Sequence, residues 1–400
     1  MSRSARPSAA AARPTRAALA ALVAVAAGAL AAPSAVTAQP SRFTVRAIPT
    51  LGGASSFARD ISSNGLVTGN AQLPVGAAPP RLNAYLWDGS TLTNLGTVPG
   101  SNNFSRGYGV NAAGVVVGES DNDRPRAFRW AGGTMTPLPT LGGASAVAHG
   151  INDAGQIVGI ASTGTVSRPV IWEDDGATVR DLGAADGSTD SFGRAWGIGA
   201  GGDVVGFSRS AAGVSQATLW ADGGAAVSLG SLGDGARFSE AYAVNGRGQV
   251  VGRSFTGALT PGGTSIFEAF LWEEGAMTGL GSLGFTFSQA NDVNGAGWIV
   301  GSATNVSGLP AAAVLWEGGV GVDLNTRLVR GARWTLRSAE GINGRGQIVG
   351  YGTLDGQTRG FVLTPVPEPG TVALLGGGLV ALAVGGLRRR GRADAAGTRG

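Results

Sequence analysis

Side chains able to do covalent chemistry are few in this chain. It has 400 residues and no Cys, all 30 of its basic residues are Arg, and His149 is its one histidine. A thiolate nucleophile, a disulfide, Cys-ligated zinc, a P-loop lysine and a Schiff-base amine are all excluded. No Gly-x-Ser-x-Gly elbow occurs, and a lone His has no second imidazole with which to share a proton or a metal. No catalytic, cofactor-binding or metal-ligating residue is therefore assigned, and no cofactor is expected.

What remains is oxygen chemistry. Glu119-Ser-Asp121-Asn-Asp123, Glu173-Asp174-Asp175 and the stretch 186–190 carry clustered acids that could converge on a hard cation. None has the EF-hand spacing with its closing Glu, and they read as solvated turns. A glycosidase-type carboxylate pair is defined by its separation, which sequence does not measure. Gly197-Ile-Gly-Ala-Gly-Gly202 has dinucleotide-binding spacing, but a strand follows it, so no helix N-terminus faces a pyrophosphate.

Charge narrows the partners. Nine of the 30 Arg and two of the 26 acids lie in the segments 1–38 and 365–400, leaving 21 against 24 and a net of about −3 for 39–364. The basic character belongs to the ends. A nucleic-acid groove needs cations clustered on the folded part, so nucleic acid is not an expected partner.

The elements that must position these residues come from one phrase repeated seven times. ISSNGLVTG, VNAAGVVVG, INDAGQIVG, IGAGGDVVG, VNGRGQVVG, VNGAGWIVG and INGRGQIVG end at Gly69, Gly118, Gly159, Gly206, Gly252, Gly301 and Gly350, 41 to 49 residues apart. A second phrase ends on Trp87, Trp130, Trp172, Trp220, Trp272 and Trp316, with Leu363 in the seventh unit, and a third phrase carrying Leu95, Leu138, Leu182, Leu229, Leu280 or Leu324 follows each Trp. Short apolar runs between Gly, Asn and Asp read as strands with tight turns, four per unit. Asn-x-x-Gly joins the first two strands, with Asn and Gly supplying the positive φ of a tight hairpin.

Four antiparallel strands at this period make a propeller blade, so the fold expected over 39–364 is all-β, a seven-bladed β-propeller. The seventh unit stops after its third strand, while Phe43 to Ile48 form a fourth-strand phrase ahead of the first unit. The N-terminal strand is therefore expected to close the last blade. Tryptophans at one phase of the repeat fill the space between blades; a solvent-facing ring of sugar platforms is the competing reading. Trp196, Trp298 and Trp334 fall off that phase and are better suited to a ligand surface. His149 occupies a position held elsewhere by Tyr108, Trp196, Tyr242 or Glu340, which marks variable surface or channel lining.

Both ends read as addresses. Arg3 to Arg16, an uncharged run from Ala17 to Ala32 and a small-residue site before Gln39 describe a signal peptide over 1–38, cut by signal peptidase between Ala38 and Gln39. At the other end Pro367-Glu368-Pro369 precedes an apolar run from Thr371 to Leu387 and the basic stop Arg388, Arg389, Arg390 and Arg392. The run predicts a transmembrane helix over 371–387 with a cytoplasmic tail at 393–400.

The segment 365–392 resembles the PEP-CTERM sorting signal of Gram-negative bacteria that make extracellular polysaccharide. The resemblance implies recognition by an exosortase-type membrane protease, an inner-membrane-anchored precursor held by the C-terminal helix, and delivery to the cell surface, biofilm or extracellular matrix. The repeats resemble the HAF-type extracellular repeat, which carries no general biochemical activity. Together they imply a non-catalytic, exported propeller whose loops bind polysaccharide or matrix partners. A propeller glycosidase or polysaccharide lyase is the alternative, and a purely structural surface protein a third. Two or more acids gathered with a Tyr or Arg at the channel would favour the enzyme; no pocket at all would favour the structural role.

Overall fold

Each repeat folds into one antiparallel four-stranded sheet, and seven such sheets stand around a common axis. The computed structural model describes residues 42–367 except 75, 77–80, 102–103, 122, 189–191, 234–236 and 306–309. In the first blade the strands are Ser56–Ile61, Val67–Gln72, Leu82–Trp87 and Leu92–Gly96, in that spatial order. The first strand of every blade touches its counterpart on either side, and Trp334–Ile342 meets Ser56–Ile61 to complete the circle. These seven innermost strands line the axial channel.

The last blade is completed from the other end of the sequence. Phe43–Ala47 pairs antiparallel with Gln357–Pro365, placing Phe43 opposite Pro365 and Ala47 opposite Phe361. Ile48 and Val366 extend the ladder through Gly360 O and Arg42 O, at 2.8 and 3.0 Å. Phe43 is fully buried, and its carbonyl accepts the Val329 amide. An edge that would otherwise expose unpaired backbone is thereby covered.

The seven phase-defining glycines lie within the second strand of each blade, away from the turn. Opposite each, the innermost strand carries a β-bulge, for example between Ala58 and Asp60 or Ala148 and Gly150. The bulge drives a carbonyl toward the glycine: a Cβ on Gly118 would stand 1.8 Å from Arg106 O, and one on Gly252 1.9 Å from Glu240 O. Only glycine fits against that backbone.

The Asn-x-x-Gly turn divides its labour differently from the sequence expectation. Its glycine is left-handed, as at Gly155 with φ +83°, but none of its asparagines is. Asparagine instead accepts backbone amides across the turn, Asn152 Oδ1 from Gln156 N at 3.0 Å and Asn111 Oδ1 from Val115 N at 3.0 Å. Its Nδ2 then reaches the next blade, Asn111 to Asn152 O and Asn152 to Gly199 O, each at 3.3 Å.

Between blades the tryptophans are not equivalent. Trp172, Trp220 and Trp316 are fully buried and Trp87 nearly so, whereas Trp130 and Trp272 are half-buried. In five of the six the residue two positions earlier accounts for the split: where it is Phe128 or Phe270 that ring is fully buried, and where it is Val170, Thr218 or Val314 the indole takes the space; blade one departs, with Tyr85 fully buried beside a nearly buried Trp87. Phe128 and Trp172 press on Gly118 and Gly159 at the same repeat position.

One part of the expected architecture is corrected. Among the described residues no helix is long and apolar enough to cross a membrane. The transmembrane helix assigned to 371–387 thus gains no support, and the membrane contact and inner-membrane-anchored precursor that rested on it are withdrawn. That segment lies outside the described residues, as do the signal peptide with Ala38 and Gln39, Glu368 and Pro369 of the sorting motif, Arg388, Arg389, Arg390 and Arg392, and the tail 393–400.

Candidate functional site

A β-bulge leaves one residue of the strand unpaired and re-aims its side chain. In the seven innermost strands that residue is Arg59, Tyr108, His149, Trp196, Tyr242, Asn291 and Glu340. All seven line one cavity of about 210 Å³ in the channel. A second cavity of about 350 Å³ shares Arg59 and Glu340 with it and is walled further by Arg253, Phe267, Phe287 and Tyr351. Together they reach the size of small-molecule sites, roughly 300–1,000 Å³. At the other end of the strands Ile61, Val110, Ile151, Ile198, Val244, Val293 and Ile342 form an aliphatic neck.

The cavity has two unlike sides. Tyr108, His149, Trp196 and Tyr242 form an aromatic arc with successive ring centroids 5.4, 4.5 and 5.7 Å apart. Opposite them Arg59 pairs with Glu340 at 3.1 Å, and Asn291 donates to Ala339 O at 2.8 Å.

Beside the arc, two buried glutamates are each satisfied twice. Glu119 accepts from Arg106 at 3.0 Å and Tyr108 at 2.8 Å. Glu240 accepts from Arg253 at 2.9 Å and Tyr242 at 2.7 Å. The Arg194 guanidinium carbon stands over the Trp196 ring, 4.5 Å from its centroid, and Arg194 forms no ion pair among the described residues. Arg194 Nε, His149 Nε2 and Trp196 Nε1 are buried without a hydrogen-bond partner.

Protonation follows from this packing. Burial, then Glu119, pushes the Tyr108 phenol up to about 12, and burial, then Glu240, holds Tyr242 well above its ordinary value. Burial, then the Arg194 charge, holds His149 well below the usual imidazole range. Near neutrality the arc therefore presents protonated phenols and an uncharged imidazole. Asp60 and Asp292 follow the bulges in their strands; burial raises them to about 6 and about 7. Each is clasped by two backbone amides, Asp60 by Ile61 and Val110 at 2.7 and 2.8 Å, Asp292 by Val293 and Ile342 at 2.8 and 2.7 Å.

Of the three off-phase tryptophans, only Trp196 reaches this cavity. Trp298 is buried in the core of the last blades, and Trp334 packs edge-on against Phe361. Glu119, read as part of an acidic turn, sits in the strand Val116–Ser120. Among the described residues no group of three or more His, Asp or Glu side chains is placed to share a metal ion. Sequence reading missed Arg59, Asp60, Arg194, Asn291 and Asp292. The position two before the first Ile or Val of each hairpin phrase, read across all seven units, would have found Arg59 and Asn291, and the position one before it Asp60 and Asp292; Arg194 lies at neither.

Comparison with known proteins adds an address and a fold. Residues 365–390 match the PEP-CTERM protein-sorting motif. No curated protein matches the chain in sequence. Among solved structures, the β-propeller domain of the Trilobed protease from Pyrococcus furiosus is similar at 10% identity over 78% of this chain and 97% of that one, with a TM-score of 0.49. A puromycin-hydrolysing peptidase of Mycobacterium tuberculosis gives 14% identity, 81% and 56% coverage and 0.48. Trypanosoma rangeli sialidase gives 10%, 82%, 57% and 0.37. This chain spans a little over half the length of the latter two. The protein is thus a seven-bladed β-propeller that carries an exosortase-type sorting motif.

Proposed function

We propose that this is an exported, exosortase-sorted propeller that processes carbohydrate in its axial channel, as a glycosidase or polysaccharide lyase. The observation that carries the reading is the gathering of Asp60, Asp292 and Glu340 with Arg59, Tyr108 and Tyr242 around one cavity. A carboxyl raised to about 7, as at Asp292, both holds and gives a proton near neutral pH, which general acid catalysis requires. The extracellular character of the repeats, read as HAF-type from their phrases, and the sorting motif both support a substrate met outside the cell. The channel cavities argue against a purely structural role.

The test incubates the purified full chain with neutral and acidic polysaccharides, reading new reducing ends and unsaturated products. Turnover abolished by Asp292→Asn and reduced by Tyr108→Phe is expected. Binding without turnover on any substrate would overturn it in favour of a non-catalytic binding propeller. One observation favours that second reading: Asp60 and Asp292 each already spend one oxygen on a backbone amide of the adjacent blade and the other on the next amide of their own strand. Export itself is tested by mass spectrometry of surface-released protein, with ends near Gln39 and Pro367 expected. Intact Arg388 to Arg392 on that material would overturn exosortase processing.

A further inference from the structure

We propose that Asn64 is a modification site, where spontaneous deamidation converts the asparagine to aspartate or isoaspartate and so releases the link between the first and second blades. Four asparagines in the chain are followed by glycine, at Asn64, Asn245, Asn294 and Asn343, and all four stand in the hairpin turns. A glycine after asparagine leaves the backbone amide unshielded by a Cβ, so each pair is chemically competent.

The fold protects three of the four. Asn245, Asn294 and Asn343 keep 7, 5 and 4% of their surface exposed. Each Oδ1 accepts two backbone amides of its own turn, and each Nδ2 donates to a carbonyl of the next blade at 2.9 to 3.2 Å. The amide carbon that would be attacked is thus held from both sides and out of water. Asn64 is exposed, because Ser62 and not an asparagine holds the first position of its turn. Its Oδ1 accepts the Ser62 hydroxyl at 2.6 Å and no backbone amide among the described residues, and its Nδ2 donates to Ala112 O at 2.8 Å. The Gly65 amide bonds to Ser62 O at 3.0 Å in a turn whose Ser63 and Asn64 face solvent, and a bond so placed opens locally at low cost.

In the step itself the Gly65 nitrogen attacks Asn64 Cγ: a C–N bond forms, the Cγ–Nδ2 bond breaks, and ammonia leaves with the proton that the amide gives up. Water, the one co-reactant, then opens the cyclic imide at either carbonyl. Both products lose the Nδ2 donor. The carboxylate in its place faces Ala112 O, an acceptor, in a turn already beside Asp153, whose oxygens meet Ser63 Oγ at 3.5 Å and Ala112 N at 2.8 Å. Acceptor then meets acceptor and a second anion joins the first, so the link between blades one and two is lost.

The experiment holds the full chain in mildly alkaline buffer, folded and in urea, and follows deamidation peptide by peptide by mass spectrometry. In the folded protein Asn64 should react at least tenfold faster than Asn245, Asn294 or Asn343, and in urea that difference should disappear. A folded-state Asn64 as slow as Asn343 overturns the site. The same spread of rates in urea would place the difference in the sequence and overturn the protection argued from the fold. Asn64→Asp, made directly, should speed amide exchange in the turn 112–115 at least threefold and leave the turn 245–249 unchanged. Unchanged exchange at 112–115 overturns the released link.

Discussion

Asn343 donates its side-chain amide to the backbone carbonyl of Ser62, 281 residues earlier, at 3.2 Å across the seam between the last and first blades. The same link recurs around the ring, from Asn245 to Asn294 O at 2.9 Å and from Asn294 to Asn343 O at 3.2 Å. Blade one lacks the asparagine and uses Asn64 to reach Ala112 O at 2.8 Å. Blade four has Gly199, so its step to Asn245 has no such donor.

That gap can be filled. A Cβ on Gly199 meets Val244 at 3.4 Å, ordinary contact, and its φ is not left-handed. Gly199→Asn should add a turn cap and a link to Asn245 O, raising stability by about 1 kcal/mol. Asn343→Ala should cost about 1–3 kcal/mol, since it removes the link and leaves the turn amides of Arg345 and Gln347 unmet. Urea midpoints of both variants check the pair; a destabilised Gly199→Asn would sink the circular-link account.

Trp and Phe trade places between blades, so their truncations should not cost alike. Trp172→Ala and Phe270→Ala each empty a fully buried site and should cost about 3–5 kcal/mol. Trp272, half-buried beside Phe270, should cost roughly half that. Chemical denaturation of the three variants reads the order directly. Equal losses at Trp272 and Phe270 would contradict it.

Deleting residues 42–48 should open the ring at one seam only. The strand Gln357–Pro365 would lose its outer partner, and the backbone around Phe361 to Leu363 should become protease-sensitive and exchange its amide protons. The blade at Ala146–Ile151, which shares no strand with that seam, should keep its protection longest. Peptide-resolved hydrogen exchange measures both regions in one experiment.

Asp60 and Asp292 make stability depend on pH in an unusual direction. Their folded values, about 6 and about 7, lie above the ordinary carboxyl value of 3.8, so the native state holds these protons more tightly than the unfolded chain. Their contribution is full below about pH 4 and is lost as pH rises through 6 and 7. Asp292→Asn should flatten the fall of the urea midpoint over that window. An unchanged slope would mean that Asp292 titrates at its ordinary value.

The architecture was legible because the seven units share the residues whose chemistry is the same in each. Gly118 and its six counterparts must be glycine against a carbonyl, and in five of the seven turns the residue is asparagine, which bonds in two directions. The channel was hidden because a bulge leaves no mark of its own and its residue differs in every blade. Arg59 and Asn291 look like ordinary alternation until the missing pairing opposite Gly69 and Gly301 is seen. Glu119 read as loop because its neighbours Ser120 and Asp121 are polar, while Arg106 and Tyr108, which keep it in a strand, lie over ten residues away. The unequal burial of Trp130 and Trp272 depends on a competitor for volume, and a phase rule based on the Trp alone does not include it.

The seam also sets an order of events. Thr44 bonds to Thr364 across 320 residues of chain, so the first described strand waits for the last before it has a partner. Contacts this distant in sequence form late and slowly. The sorting motif starts at residue 365, at the very end of the strand that the waiting segment must find. Ring closure and tail recognition thus become possible within a few residues of each other as the chain emerges, and a tail seized before Phe43 docks belongs to a propeller that is still open.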